Sequence, residues 1–194
     1  MFGCEPNDAG CDSRPLPQIT KGFVKLFFDT EFIDRIPETG GVIPLAIGVV
    51  RADGATFYAE VEEGLKCKDL AVPWVQENVL KILTGPIMPC DEIRMRLLGF
   101  ANEGMGRPEW WGYFADCDFM ALCHIMGGWD RWPGNWVQPV MDIAQLKRHL
   151  GVRELPNQKT VKHHALNDAL WTKECYEYLM NFQNYDMFVK QKGL

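Results

Sequence analysis

The fold of this chain is decided by the stretch Lys25-Leu26-Phe27-Phe28-Asp29-Thr30-Glu31-Phe32. Its apolar residues predict a β-strand that is buried on both faces. Side chains alternate across a strand, so Asp29 and Glu31 point to the same face. Ionised carboxylates are costly in an apolar setting unless a cation pairs with them, and divalent ions favour such oxygen ligands. The stretch therefore predicts a metal site on a buried strand.

Two later segments supply further candidate ligands. Asp118 lies in an aromatic-rich segment; Asp116 is its alternative, and either could instead cap the helix that follows. His163 and Asp168 are five residues apart, which suits one face of a helix poorly. The spacing works if His163 lies in a loop just before a helix and Asp168 projects from its first turns. Taken alone, this pair could also be a surface histidine and an aspartate favoured by the helix dipole.

Together these residues indicate a chemistry. A histidine in a loop can accept a proton from water near neutral pH. Four carboxylates and one histidine, in this order along the chain, are the parts of a two-metal site that cleaves phosphodiesters.

The remaining pattern predicts a single α/β domain over residues 23–194. A flexible N-terminal extension is predicted over residues 1–22, which carry Gly, Pro, Asp and Ser with little periodicity. Three strands joined by short loops, at 23–32, 42–50 and 56–61, predict an antiparallel meander. Later strands are predicted at 109–114 and 137–141. Helices are predicted at 72–83, 91–102, 118–126, 143–150 and from about 164 to 178 or beyond, with Asp91 and Asp142 as N-caps. A mixed sheet with helices on both faces fits this order.

Composition narrows the class of protein. The 194 residues contain no apolar run near the roughly 20 residues that span a bilayer, and the first residues lack the pattern of a secretory signal. Seven cysteines without a Cys-x-x-Cys pair argue against a disulfide framework or a zinc site. We therefore expect a cytoplasmic protein that does not bind membranes. The net charge of −6 argues against a wide grip on long nucleic acid, but it is compatible with a nuclease that holds a few nucleotides.

Taken in order, the motifs resemble those of the DEDDh family of 3′–5′ exonucleases. They are Asp-x-Glu in the first strand, Asp after the fourth, and His-x-Ala-x-x-Asp at the start of the last helix. The resemblance covers about residues 24–179. It implies a ribonuclease-H-like mixed sheet, with strands 1–3 antiparallel and later strands parallel. It also implies hydrolysis of phosphodiesters from a free 3′ end with two divalent ions, Mg²⁺ or Mn²⁺.

Residue by residue, the resemblance assigns roles to five positions. The metal ligands would be Asp29, Glu31, Asp118 and Asp168, and His163 would be the general base, while His164 occupies a variable position.

A closer likeness is to the subgroup of the polyadenylate-specific exoribonuclease AS, which shares Asp-Thr-Glu-Phe at residues 29–32 and Ile-Gly-Val-Val at residues 47–50. Many other family members have Thr-Thr-Gly after the first Glu and an acidic residue in strand two. This chain has Phe32-Ile33 and Ala46 instead. The contact with the terminal 3′-hydroxyl is therefore unassigned, which makes a proofreading DNA exonuclease the weaker choice.

Substrate-binding candidates surround these positions. Phe32 and Ile33 could stack on the last base, although both suit a core equally well. Thr30 lies between the two carboxylates, and Lys162 precedes the histidine and could hold a phosphate. Trp110 and Trp111 cannot both face one side of a strand, so one of the two is expected to be exposed to substrate or a partner.

The sequence thus predicts a metal-dependent 3′–5′ exoribonuclease of RNA processing, acting on single-stranded RNA or 3′ tails and releasing 5′-mononucleotides. Alternatives are a DNA 3′ exonuclease and a catalytically silent module that binds nucleic acid or protein. All five catalytic positions are filled, which counts against the silent module. Close relatives are often dimers, so the resemblance also suggests a homodimer.

Overall fold

The computed structural model describes residues 22–34, 41–104 and 106–192, with side chains described up to residue 183. The N-terminal extension predicted over residues 1–22 lies outside the described residues except for Gly22. Among the helices that are described, none is long and apolar enough to cross a membrane.

Six strands and six α-helices make up the described fold. The strands are β1 (Phe23–Ile33), β2 (Ile43–Arg51), β3 (Thr56–Val61), β4 (Ile87–Met88), β5 (Arg107–Gly112) and β6 (Met141–Asp142). The α-helices are α1 (Glu62–Lys66), α2 (Pro73–Asn78), α3 (Cys90–Asn102), α4 (Asp116–Met126), α5 (Ile143–His149) and α6 (Ala165–Lys192). Short 3₁₀ turns occur at Lys68–Leu70, Leu80–Ile82 and Trp129–Arg131.

One mixed sheet joins all six strands in the order β4-β3-β2-β1-β5-β6. The pairs β1–β2 and β2–β3 are antiparallel, whereas β1–β5, β5–β6 and β3–β4 are parallel. This confirms the predicted meander followed by parallel strands. The strand that carries the Asp-x-Glu motif lies inside the sheet, with neighbours on both sides.

Helices cover both faces of the sheet, as the sequence predicted. On one face, α3 and α4 pack over a core that includes Phe28 and Trp110. On the other, α5 and α6 pack over Phe27 and Trp111. The expectation that one of the two tryptophans is exposed is wrong: Trp110 is 0% exposed and Trp111 is 6% exposed. Alternation sends the two rings to opposite faces, and each face has its own helical layer.

Several element bounds differ from the prediction. The helix predicted at 72–83 is split into α2 and a 3₁₀ turn, and the two-residue strand β4 was not predicted. The strand predicted at 137–141 is reduced to β6, which begins after Pro139. A proline has no N–H to donate to a ladder. Helix α3 begins at Cys90 with Pro89 as its N-cap, so the prediction that Asp91 caps it is wrong. Asp142 does cap α5, since its Oδ1 accepts from the Gln145 N–H at 2.8 Å.

Candidate active site

The two carboxylates of β1 meet a third from α6. Phe27, two residues before Asp29, packs in the core cluster that α6 covers, so alternation turns Asp29 and Glu31 toward α6. Ligand oxygens of Asp29, Glu31 and Asp168 all lie within 4.8 Å of one another. The chain therefore brings together three carboxylates that are up to 139 positions apart in sequence, and this spacing is small enough for one cation to bind all three.

A glycine allows α6 to approach the sheet this closely. Gly48 of β2 pairs with Asp29 across the ladder. A Cβ built on Gly48 would lie 2.3 Å from the Ala165 carbonyl carbon and 2.3 Å from the Leu166 nitrogen. Any side chain at this position would therefore push the start of α6, and Asp168 with it, away from Asp29. The glycine lies within the 47–50 segment that the sequence resemblance singled out.

Asp118, rather than Asp116, projects toward the site from the first turn of α4. Its Oδ1 accepts two hydrogen bonds from Thr30, at 2.9 Å from the backbone N and 2.6 Å from Oγ1. Thr30 points to the α4 face because it alternates with its two carboxylate neighbours. Thr30 therefore holds the Asp118 carboxylate against β1.

His163 lies in the loop before α6, as the spacing predicted. Its backbone N–H donates to Asp168 Oδ2 at 2.9 Å, and Gln158 Nε2 donates to Asp168 Oδ1. The residue has φ +62°, a left-handed conformation that costs energy for any residue but glycine. Its ring meets Trp74 edge to face, with centroids 4.8 Å apart. These contacts hold an energetically unfavourable loop in one place, and His163 lines the same cavity as the carboxylates.

The electrostatics of the carboxylates show an uncompensated negative cluster. Burial raises the pKa of Asp29 well above its usual range, and the charges of Asp118, Glu31 and Asp168 raise it further. Burial, followed by the charges of Asp168 and Asp118, raises the pKa of Glu31 to about 8. Burial also raises the pKa of Asp118, to about 6, against the lowering effect of the two Thr30 hydrogen bonds. A cation bound among these groups would lower their pKa values and favour the ionised carboxylates.

A cavity of about 600 Å³ contains the candidate site. Besides the four carboxylates and His163, an apolar wall from α2 and the turn after it lines it, with Trp74, Val75 and Val79. Sequence reasoning missed this wall. Trp74 is 53% exposed and stood out only as a large apolar residue in a predicted helix. Nothing local showed that this helix would face residues of β1 and α6.

The substrate-binding candidates separate in the structure. Phe32 and Thr30 line the cavity of the carboxylates, and Lys162 lines an adjoining cavity that shares His163 and Asp168. Ile33 does not reach the substrate space: it is 1% exposed and packs in a separate core cluster. Its neighbours in that cluster include Leu45 of β2 and Val75 and Val79 from the region of α2, which cover it. Ile33 is therefore a core residue.

Comparison with known proteins identifies the family. The model of the 3′-5′ exoribonuclease Rv2179c-like domain matches residues 24–180. The chain belongs to this family. Its relatives include the 3′-5′ exoribonuclease Rv2179c of Mycobacterium tuberculosis strain H37Rv and its counterpart in strain CDC 1551. Each is 32% identical over 152 residues, which is 75% of this chain and 87% of the relative. The predicted likeness to 3′–5′ exonucleases, and the prediction of an enzyme of this class, are confirmed.

Solved structures confirm the ribonuclease-H-like fold. Exonuclease I of E. coli, in complex with a dT13 oligonucleotide, has a TM-score of 0.58 at 11% identity over 86% of this chain and 43% of that one. Exonuclease I of Methylocaldum szegediense has a TM-score of 0.53 at 14% identity, over 84% and 42%. The Saccharomyces cerevisiae Pan2 exonuclease module, in complex with AAGGA RNA, has a TM-score of 0.50 at 14% identity, over 94% and 33%. This chain thus spans less than half the length of each of these proteins.

Proposed function

We propose that this family member is a metal-dependent exoribonuclease that removes 5′-mononucleotides from the 3′ end of single-stranded RNA. The observation that carries the proposal is the group of three carboxylates within 4.8 Å, with a fourth held against the same strand. The chain matches 87% of the length of a relative that is named a 3′-5′ exoribonuclease, which supports RNA as the substrate.

In this proposal the four carboxylates would hold two divalent ions. Asp29, Glu31, Asp118 and Asp168 offer only oxygen ligands, which suit Mg²⁺ or Mn²⁺. The raised pKa values of Asp29 and Glu31 reflect buried like charges that a cation would compensate. When bound, the ions would supply Lewis-acid stabilisation of the scissile phosphate and a lower pKa for the attacking water.

The chain's own residues have separate tasks in this proposal. His163 accepts the proton of the attacking water, since this residue lines the same cavity as the carboxylates. Trp74 packs edge to face against the imidazole of His163 and limits its movement. Asp168 Oδ2 accepts a hydrogen bond from the backbone N–H of His163, which fixes the loop relative to α6. Thr30 keeps Asp118 oriented toward β1 through two hydrogen bonds.

The apolar wall of the cavity gives the 3′-terminal nucleoside a place to bind. Phe32 and Trp74 line the cavity together with Val75 and Val79. Bases stack on aromatic side chains without strict sequence preference. A nucleoside held against this wall would present its 5′-phosphate to the carboxylates. A 3′–5′ exonuclease cleaves the bond between this phosphate and the 3′-oxygen of the preceding nucleotide.

The proposal can be tested with 5′-labelled single-stranded RNA and DNA of one sequence, in Mg²⁺, Mn²⁺ or EDTA. We expect a ladder that shortens from the 3′ end of the RNA and is abolished by EDTA, while a circular RNA of the same sequence stays intact. Shortening of DNA alone would replace RNA with DNA as the substrate. Cleavage of the circle, or no cleavage with any metal, would refute exonucleolytic activity. Homodimer formation, a cytoplasmic location and membership of the polyadenylate-specific subgroup stay predictions.

A further inference from the structure

A cluster of cations lies beside the cavity of about 600 Å³ that contains the carboxylates, which we call the catalytic cavity. We define the basic cleft by Lys147, Arg148, Arg153 and Lys162, which line two adjoining hollows of about 510 Å³ and about 280 Å³. Two of these residues come from α5 and two from the segment 152–163 that leads to α6. Within the ranges that the structure describes, none of the four forms an ion pair.

Several other cations of this acidic chain form ion pairs with nearby carboxylates. Arg51 binds Asp53 and Glu103, each at 3.0 Å, and Arg96 binds Glu92 at 2.6 Å. With a net charge of −6, the chain has more carboxylates than cations to pair with them. Glu154 and Asp168 also line the larger hollow, but the four cations outnumber these two carboxylates and form no ion pair with them, so the cleft is net positive. Such a cleft attracts an anion with several charges.

The basic cleft opens into the catalytic cavity. Tyr113, His163 and Asp168 line both the catalytic cavity and the larger hollow of the basic cleft. Phe114 lines both the catalytic cavity and the smaller hollow, is 65% exposed, and has φ +54°. An exposed aromatic ring on an unfavourable backbone costs energy, and such conformations are concentrated at ligand-binding sites. The ring's position at this boundary suits contact with a chain that passes from one cavity to the other.

We propose that the basic cleft binds the phosphates on the 5′ side of the scissile bond, and that Phe114 stacks on a base where the RNA leaves the catalytic cavity. The inference rests on the proposed function, because a 3′ end seated at the carboxylates leaves the strand only its 5′ direction in which to continue. Short-range contacts in one cleft also explain how an acidic chain binds RNA without a wide basic surface.

The test is the salt dependence of RNA binding by the full chain. A fluorescent single-stranded RNA octamer is titrated in Ca²⁺ by anisotropy, and a gel checks that it stays intact. Each lost phosphate contact should reduce the slope of log affinity against log salt by about 0.7, so Lys147→Ala with Arg153→Ala should reduce it by about 1.4. Lys81→Ala with Arg96→Ala removes the same charge from ion-paired surface positions and should leave the slope unchanged. Equal slopes in the two double variants would overturn the proposal.

A second variant tests the stacking contact and separates the two proposals. Phe114→Ala should weaken octamer binding by roughly 10-fold or more, the loss typical of a missing base-stacking contact. Arg153→Glu repeats the charge test with a single exposed residue, should the double variant be poorly folded by melting temperature. RNA degradation with equal slopes would refute the basic cleft alone. Octamer binding with the expected slopes, but without degradation in Mg²⁺ or Mn²⁺, would refute the proposed function and retain the cleft.

Discussion

The two cavities that meet at His163 are neighbours with opposite charge. The catalytic cavity is lined by carboxylates, including Asp29, Glu31 and Asp118, and no Lys or Arg is among its described lining residues. The basic cleft next to it is rich in cations, with Lys147, Arg148, Arg153 and Lys162. A phosphate would be repelled by the first cavity unless metal ions neutralise it, whereas the second attracts phosphates by itself. The difference suggests that cleavage and strand binding are divided between the two.

The largest loss of activity should come from neutralising Asp29 in the catalytic cavity. Asp29→Asn keeps the shape of the side chain but removes the charge that two ions would share. We expect activity on RNA to fall by more than the roughly 10²- to 10⁴-fold that a general base contributes. Asp91→Asn, a change at a carboxylate that is 87% exposed on α3, is the matched control and should keep wild-type kcat. Equal kcat values for the two variants would remove Asp29 from the site.

Loss of the proposed base should have the next largest effect. His163→Ala should lower kcat by about 10²- to 10⁴-fold, because the attacking water loses its proton acceptor. His149→Ala, at an exposed position in the last turn of α5, should leave the rate unchanged. Single-turnover kinetics on the labelled RNA would measure both. Full activity in the His163 variant would mean that another group takes the proton.

The close approach of α6 to the sheet can be tested at Gly48. Gly48→Ala places a methyl group 2.3 Å from the backbone of Ala165, so the start of α6 must move. We expect a loss of about 1–3 kcal/mol in the free energy of unfolding, together with reduced activity. Gly99→Ala is the control: no atom within 4 Å meets its Cβ, and alanine should stabilise α3 by about 0.5–1 kcal/mol. Denaturant unfolding would measure both, and similar stabilities would refute the close approach.

The smallest effect concerns pH. Glu31 has a pKa raised from its ordinary 4.5 to about 8, and Asp118 from 3.8 to about 6. Their protons bind more tightly in the folded state, so this contribution is complete below the ordinary pKa and is lost as pH rises through the raised one. The melting temperature of the metal-free protein should therefore fall between about pH 5 and about pH 8, with Mg²⁺ restoring most at the higher pH. Glu31→Gln should show a shallower fall, and a rise with pH in the wild type would contradict the sign.

Sequence reasoning reached the elements whose signals are local. The carboxylates of β1, the pre-helix position of His163 and the Asp142 cap all follow from spacing within a few residues. Residues whose role depends on distant packing were missed or misjudged. The wall that contains Trp74 becomes visible only when α2 packs beside β1.

Two residues show the same limit. Ile33 suited base stacking and the core equally well in the sequence, and packing against Val75 and Val79 makes it a core residue. One of Trp110 and Trp111 was expected to be exposed, whereas α5 and α6 bury Trp111 in a second core. Strand periodicity predicts which side chains share a face, but it does not predict which helices or loops cover that face.

The most direct measurement of the central claim is isothermal titration of Mn²⁺ into the metal-free protein, with a product 5′-mononucleotide present. We expect close to two bound ions per chain, and fewer or far weaker sites in Asp29→Asn. No binding, or equal binding by the wild type and the Asp29 variant, would contradict the claim that these carboxylates form a metal centre.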